Sequence, residues 1–151
     1  MSKALPHLIV GRALVTSLLV CGLGSAITTV VPVRFGNVDW EFGTLGELAA
    51  NGALPLMGLS AMVALGLYER RNWVVGTTGV LMLVLGLAGF ASMAVLVTDA
   101  PIVLNASRGL HPVEETSVKV VLAKSVGLLF LFSIGLLGTG IGALRSVQRG
   151  R

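Results

Sequence analysis

Four long stretches without a charged residue constrain the fold of this chain more than any other feature. They cover residues 13–33, 48–68, 72–98 and 125–144, and each is at least 20 residues long. A helix rises about 1.5 Å per residue and needs about 20 residues to cross the hydrocarbon core of a bilayer. A spanning β-strand needs only about 10 residues of alternating polarity, whereas these stretches are apolar on every face. The sequence therefore predicts transmembrane helices.

The composition agrees with this interpretation. Hydrophobic residues make up 54% of the chain and charged residues 12%, and the mean hydropathy is +0.91. The predicted fold is an all-α integral membrane protein, a four-transmembrane-helix bundle of two antiparallel hairpins that forms a single domain over residues 1–151. The predicted spans are about 12–31, 47–68, 73–98 and 118–144, with outer loops at 32–46 and 99–117.

The distribution of lysine and arginine predicts the orientation. One side of the predicted bundle carries Lys3, Arg12, Arg70, Arg71, Arg145, Arg149 and Arg151, and the other carries Arg34, Arg108, Lys119 and Lys124. Short segments rich in these residues stay in the cytoplasm, so both termini are expected there. The net charge of +4 is scattered over helix ends, which argues against nucleic acid as a partner.

Local signals predict where helices begin and bend. Thr44 and Glu47 fit a capping box at the start of the second span, and Pro55 should kink that span. Pro112, followed by two acids, predicts the first turn of the last helix. Glu115 and Lys119 are spaced for an i,i+4 ion pair on that helix.

The first outer segment combines aromatic rings with charges over residues 34–42. Such rings can form a belt at the lipid headgroups, or they can form a docking patch for a partner protein. The candidate partner-binding residues of the two outer segments are Arg34, Asp39, Trp40, Phe42 and Arg108.

Glycines within the spans predict close helix contacts, because small residues let backbones approach in lipid. The candidate packing glycines are Gly79, Gly86 and Gly89 in the third span and Gly135, Gly138 and Gly142 in the fourth. They predict either contacts within one chain or a contact in a homo-oligomer.

The spans contain few side chains suited to catalysis or ligand coordination. His7 and His111 fall on opposite sides of the predicted bilayer, which argues against haem, and no metal-binding or phosphate-binding motif occurs. Cys21 is expected to be a buried mid-helix side chain. We therefore expect no cofactor, no metal site and no enzymatic activity.

Transport is the alternative function that the sequence leaves open. Ionisable groups persist inside a membrane where they act, and Lys124 is the one candidate, either at the outer interface or deeper in the bundle. Asn51 in the second span is the second transport candidate. Both would serve a small oligomeric transporter or channel.

Three sequence elements carry a resemblance to a known family: Val31-Pro32, Asp39-Trp40, and Leu54-Pro55-Leu56-Met57-Gly58-Leu59. Over roughly residues 31–59 the chain resembles small four-helix bacterial inner-membrane proteins of the HpsJ-like type, found among polysaccharide-secretion components. The resemblance implies an accessory role in a bacterial cytoplasmic (inner) membrane and assigns no site residue. The expected function is thus an accessory or scaffolding subunit of a larger bacterial membrane complex. It would bind other integral membrane proteins and lipids through outer loops and glycine-rich helix faces.

Overall fold

The computed structural model describes residues 5–31, 33–34, 37–109 and 111–149. These residues form helices and no strand, which confirms the all-helical prediction. The five helices are α1 (Leu5–Val30), α2 (Val38–Asn51), α3 (Ala53–Tyr68), α4 (Asn72–Ser107) and α5 (Pro112–Arg149).

Three of these helices are long and apolar enough to cross a membrane. They are α4, α5 and the part of α1 from Ile9 to Val30. Helices α2 and α3 meet the same criterion together, with a bend of 44° between them. The described residues therefore contain three candidate spans, or four if α2 and α3 form one broken span, as expected of a membrane protein.

The bend between α2 and α3 confirms the predicted kink at Pro55 and shows where the helix breaks. Pro55 is the third residue of α3, and its ring nitrogen has no hydrogen to donate to the carbonyl of Asn51. The backbone bonding resumes with Leu56 N, which donates to Gly52 O at 3.3 Å. The break falls at Gly52 because a proline removes a hydrogen bond to the residue four positions earlier.

Helix α2 begins earlier than the sequence predicted. The chain was expected to be a loop over 32–46 with a capping box at Thr44, but α2 starts at Val38. The Asn37 side chain accepts a hydrogen bond from Trp40 N at 3.0 Å, which caps the helix, and Asp39 is one of two acids in its first turn. Thr44 is buried inside α2, so the capping-box prediction was wrong.

The second predicted loop, residues 99–117, is also mostly helical. Helix α4 runs through Pro101 to Ser107, and only residues 108–111 separate it from α5. The Ser107 side chain is buried and donates to the carbonyl of Leu104 at 2.9 Å, which supports this last turn. The predicted start of the last helix at Pro112 is confirmed, and so is the ion pair of Glu115 Oε1 with Lys119 Nζ, at 2.5 Å.

Helices α4 and α5 form the most extensive helix pair, and α3 packs against both. Two clusters of buried side chains fill the contacts between these helices and α2. One cluster contains Leu59, Val63, Val75, Met82 and Ala143. The other contains Ala49, Leu96 and Leu129. Helix α1 packs against α2 and α3.

Glycines allow two particularly close helix crossings. A Cβ atom added at Gly140 of α5 would lie 2.9 Å from the backbone oxygen of Gly79 in α4. A Cβ atom added at Gly22 of α1 would lie 2.8 Å from the nitrogen of Pro55 in α3. Both distances are too short for a real side chain, so these two contacts require glycine.

Candidate functional site at the acidic end of the bundle

The charged residues divide the bundle into two ends. We call one the basic end, and its described arginines are Arg12, Arg70, Arg71, Arg145 and Arg149. We call the other the acidic end, and its described acids are Asp39, Glu41, Asp99, Glu114 and Glu115. An ion pair of Arg12 Nε with Glu69 Oε1, at 2.8 Å, shows that the beginning of α1 and the α3–α4 turn share the basic end.

The first two turns of α2 form the centre of the candidate site at the acidic end. They border a cavity of about 290 Å³ between α2, α4 and the last turn of α1. Trp40, Glu41 and Thr44 line it from α2, Ser92 lines it from α4, and the remaining wall is apolar. The Ser92 hydroxyl donates to the carbonyl of Ala88 at 2.9 Å, within its own helix. The cavity is therefore an apolar recess with a polar rim.

Two carboxyl groups meet at the same end of the bundle. The carboxyl groups of Asp99 in α4 and Glu41 in α2 lie close enough to interact directly. The contact between α2 and α4 thus places an acidic pair beside the cavity.

The predicted partner-binding residues differ in how they are presented. Arg34, Asp39 and Arg108 are exposed, and Trp40 is half-buried at the rim of the cavity. Phe42 is half-buried and packs against the cluster of Ala49, Leu96 and Leu129. Phe42 therefore anchors α2 to the bundle, whereas Asp39 and Trp40 lie at the surface.

The transport candidates lie on outward surfaces. Asn51 is exposed, and its Nδ2 donates to the carbonyl of Glu47 at 3.1 Å within α2. Lys124 is exposed on α5. Neither residue lines the cavity of about 180 Å³ beside the α2–α3 break, which contains Gly52, Pro55 and the buried Ser133.

The predicted packing glycines fall into two groups. Gly79, Gly86 and Gly89 face α5, and a Cβ atom added at any of them would crowd an α5 residue. In α5, Gly135 lies near Leu56 of α3. A Cβ atom added at Gly138 or Gly142 would meet nothing within 4 Å, so these two glycines face away from the rest of the chain. Cys21, which was predicted to be buried, is exposed because it lies on the outer face of α1.

The basic end contains a second polar cluster. Glu69 accepts from Arg12 Nε at 2.8 Å and is paired with Arg71 Nε at 3.2 Å. The hydrogen bond from Arg12, together with the positive charges of both arginines, lowers the pKa of Glu69 below its usual range. The cluster lies at the turn that ends α3, where Arg70 adopts a left-handed φ of 55°. Arg71 N donates to Gly66 O at 2.8 Å and Arg70 N to Leu67 O at 3.2 Å, as in a Schellman motif.

Sequence reasoning did not find either polar cluster. The Glu41–Asp99 pair joins two helices far apart in the chain, and no local spacing relates them. The Glu69 cluster depends on Arg12, which is 57 residues away in the chain, so the spacing within the α3–α4 connection does not predict it. The described residues contain no group of three or more His, Cys, Asp or Glu side chains that could hold a metal ion.

These features define a helical membrane protein with an apolar middle and polar clusters at both ends. No family model matches the chain, and neither curated proteins nor solved structures provide a match.

Proposed function

We propose that this protein is a non-enzymatic accessory or scaffolding subunit of a larger bacterial membrane complex. In this proposal α2 and α3 form one broken span, the bundle has four spans, and the basic end with both termini lies in the cytoplasm. The acidic end then lies outside the cytoplasm and binds a partner. The accessory role is also what the resemblance of residues 31–59 to HpsJ-like proteins implies.

One observation carries the proposal: the polar segment after α1 contains a capped helix that is fixed to the bundle. Asn37 caps α2, Thr44 and Ala49 are buried, and Ala49 packs in one cluster with Leu96 of α4 and Leu129 of α5. A rigid surface loses less conformational entropy on binding than a mobile loop does. Helix α2 can therefore present Asp39 and Trp40 in a fixed arrangement.

The chemistry of this surface indicates the kind of partner. Asp39 is exposed, Trp40 is half-buried beside an apolar recess, and the nearby charged side chains of Glu41 and Asp99 are acidic. Aromatic residues are common energetic centres of interfaces, and complementary charge accelerates association. We expect a membrane protein whose matching surface carries basic groups around an apolar side chain.

Photo-crosslinking in native membranes tests this proposal. A photo-reactive amino acid at Asp39 should yield a discrete crosslinked product larger than the monomer, whereas one at Leu131, which is 64% exposed on α5, should yield none of that product. Asp39→Lys should lower co-purification of the captured protein at least about tenfold, since it reverses a charge at the centre of the surface. Arg145→Glu is the matched control at the basic end and should leave co-purification unchanged. Free monomer at every position would contradict the proposal.

A specific observation also favours transport as a second candidate function. Discontinuous membrane helices often surround substrate sites near the middle of the bilayer, and the α2–α3 break borders a cavity of about 180 Å³. Ser133 Oγ is buried beside this cavity and has no hydrogen-bond partner among the described residues.

Flux measurements on the purified protein in liposomes test the transport candidate. If the cavity at the break is a substrate site, Ser133→Ala should reduce flux at least about tenfold, because a buried hydroxyl would then lose its contact with the substrate. Thr139→Ala is a control, because the Thr139 hydroxyl donates to Gly135 O within α5 at 2.8 Å. Equal flux for the two variants, or no flux for the unaltered protein, would exclude this function.

A further inference from the structure

The arginine cluster at the basic end borders a second recess with an unusual combination of groups. The recess has a volume of about 260 Å³ and lies between α1, α3 and the beginning of α4. Its polar lining comes from Arg12, Thr16, Glu69 and Arg71, with Trp73 beside them. Apolar side chains, among them Met62, form the rest of the wall. The recess is thus cationic on one side and apolar on the other.

The ion pairs of the two arginines with Glu69 leave donors for a further anion. Both pairs use the Nε atom, Arg12 to Oε1 and Arg71 to Oε2. A guanidinium has five N–H donors, so each arginine keeps its terminal nitrogens for other acceptors. The two arginine side chains are 48% and 51% exposed, whereas the Glu69 side chain is 10% exposed. Glu69 therefore lies on the buried side of the cluster and orients both guanidinium groups through their Nε atoms. Their terminal nitrogens remain accessible.

The charge balance favours an anion. Two guanidinium groups and one carboxylate leave one net positive charge at the recess, and the adjacent Arg70 is exposed and adds another. Arginine pairs can bind a phosphate through several parallel hydrogen bonds, which a lysine cannot match in geometry.

The position of the recess favours a lipid over a soluble anion. It lies at the turn between the apolar helices α3 and α4, where Tyr68 and Trp73 are 74% and 69% exposed. Exposed aromatic rings beside apolar helices are typical of the level of the lipid headgroups. Val15 of α1 and Met62 of α3 form an apolar wall beside the arginines, which suits the first segment of an acyl chain.

We propose that this recess binds an anionic phospholipid. Its phosphate accepts hydrogen bonds from the terminal nitrogens of Arg12 and Arg71, and its first acyl segment packs on the apolar wall. The inference concerns the opposite end of the bundle from the proposed partner surface and does not depend on it.

Quenching of tryptophan fluorescence by brominated lipids tests the proposal on the full chain in lipid nanodiscs. Trp40→Phe leaves Trp73, which lines the recess, as the single tryptophan. At equal low mole fractions, brominated phosphatidylglycerol should quench Trp73 several-fold more than brominated phosphatidylcholine. Arg71→Gln should bring the ratio of the two quenching efficiencies close to one.

Two further variants separate a defined site from general attraction to a negative surface. Arg145→Gln removes one positive charge from the same end outside the recess and should leave the ratio unchanged. Arg71→Lys keeps the charge but loses the planar guanidinium, whose donors can make parallel hydrogen bonds to a phosphate. It should therefore lower the ratio to an intermediate value. Circular dichroism and the elution volume of each variant verify that it is folded.

Three results would overturn the proposal. The first is equal quenching by brominated phosphatidylglycerol and brominated phosphatidylcholine, a ratio of one, in the protein with Arg12 and Arg71 intact. The second is an equal loss of the ratio in Arg145→Gln and Arg71→Gln. The third is complete displacement of phosphatidylglycerol by millimolar inorganic phosphate, which would identify a site for a free anion.

Discussion

Replacing Gly140 with alanine is expected to destabilise the bundle by about 1–3 kcal/mol, the usual cost of inserting a methyl group into a packed contact. The new Cβ atom would lie 2.9 Å from the backbone oxygen of Gly79 and 3.1 Å from Leu83 Cδ2. The Leu83 side chain can rotate, but the carbonyl of a helix backbone cannot. Helices α4 and α5 would have to separate along their most extensive contact. Titration with sodium dodecyl sulfate in mixed micelles measures the apparent free energy of unfolding.

Gly138 provides a matched control two residues away on the same helix. A Cβ atom added there meets nothing within 4 Å, so Gly138→Ala changes helix propensity as Gly140→Ala does but creates no clash. Alanine is favoured over glycine inside a helix by roughly 0.5–1 kcal/mol, and Gly138→Ala should therefore be neutral or slightly stabilising. Equal stabilities of the two variants would show that α4 and α5 do not cross at Gly79 and Gly140.

Gly22→Ala is expected to displace α1 from the break between α2 and α3. The added Cβ atom would lie 2.8 Å from Pro55 N and 3.0 Å from Pro55 Cδ. These atoms belong to the backbone and to a closed ring, so no side-chain rotation relieves the clash. The apparent free energy of unfolding should fall by about 1–3 kcal/mol, and the contact of α1 with α3 should loosen.

Spin labels at two exposed positions measure the loosening of the contact between α1 and α3 directly. Val20 on α1 and Met57 on α3 are 66% and 59% exposed, and Cys21 is first replaced by alanine so that only the introduced cysteines are labelled. The distance distribution should broaden or shift in Gly22→Ala. Gly24→Ala should retain the original distribution, because a Cβ atom added at Gly24 meets nothing within 4 Å. A sharp, unshifted distribution in Gly22→Ala would contradict the observed packing of α1.

The sequence was sufficient to predict the helical class, the apolar segments and the features set by a few neighbouring residues. The kink at Pro55 and the Glu115–Lys119 pair depend on covalent geometry and on i,i+4 spacing, and both were predicted correctly. The charge pattern also predicted in outline which helix ends lie together, because arginine and acidic residues cluster at different helix ends. The ion pair of Arg12 with Glu69 shows that the beginning of α1 and the end of α3 lie side by side.

The extent of the helices outside the apolar stretches was not predictable from hydropathy. Charged and aromatic residues over 38–46 were interpreted as a loop, but the cap at Asn37 and the burial of Thr44 make this segment helical. Residues 99–107 stay helical despite Pro101, since Ser107 is buried at the end of the helix. Local hydrogen bonds and burial against other helices support both extensions, whereas hydropathy measures only transfer into lipid.

The site residues show the same limit. Phe42 shares an aromatic, charged segment with Trp40, but helical periodicity turns Phe42 toward Ala49 and Leu96 and leaves Trp40 at the cavity rim. The spacing of Gly138 and Gly142 resembles a packing motif, yet both face away from the rest of the chain. Which face of a helix meets a neighbour depends on residues distant in sequence, and the spacing of residues along one helix does not reveal it.

The lengths of α4 and α5 restrict the architecture of any partner that binds their junction. With 36 and 38 residues, these helices measure about 54 and 57 Å along their axes, roughly 25 Å more than the hydrocarbon core. If Trp73 lies in one headgroup layer, the turn at Arg108 lies outside the bilayer, well beyond the opposite headgroup layer. A partner that consists only of membrane-embedded helices does not extend far enough from the bilayer to contact this turn. Contact with this turn therefore demands a partner that has a folded segment in the aqueous compartment.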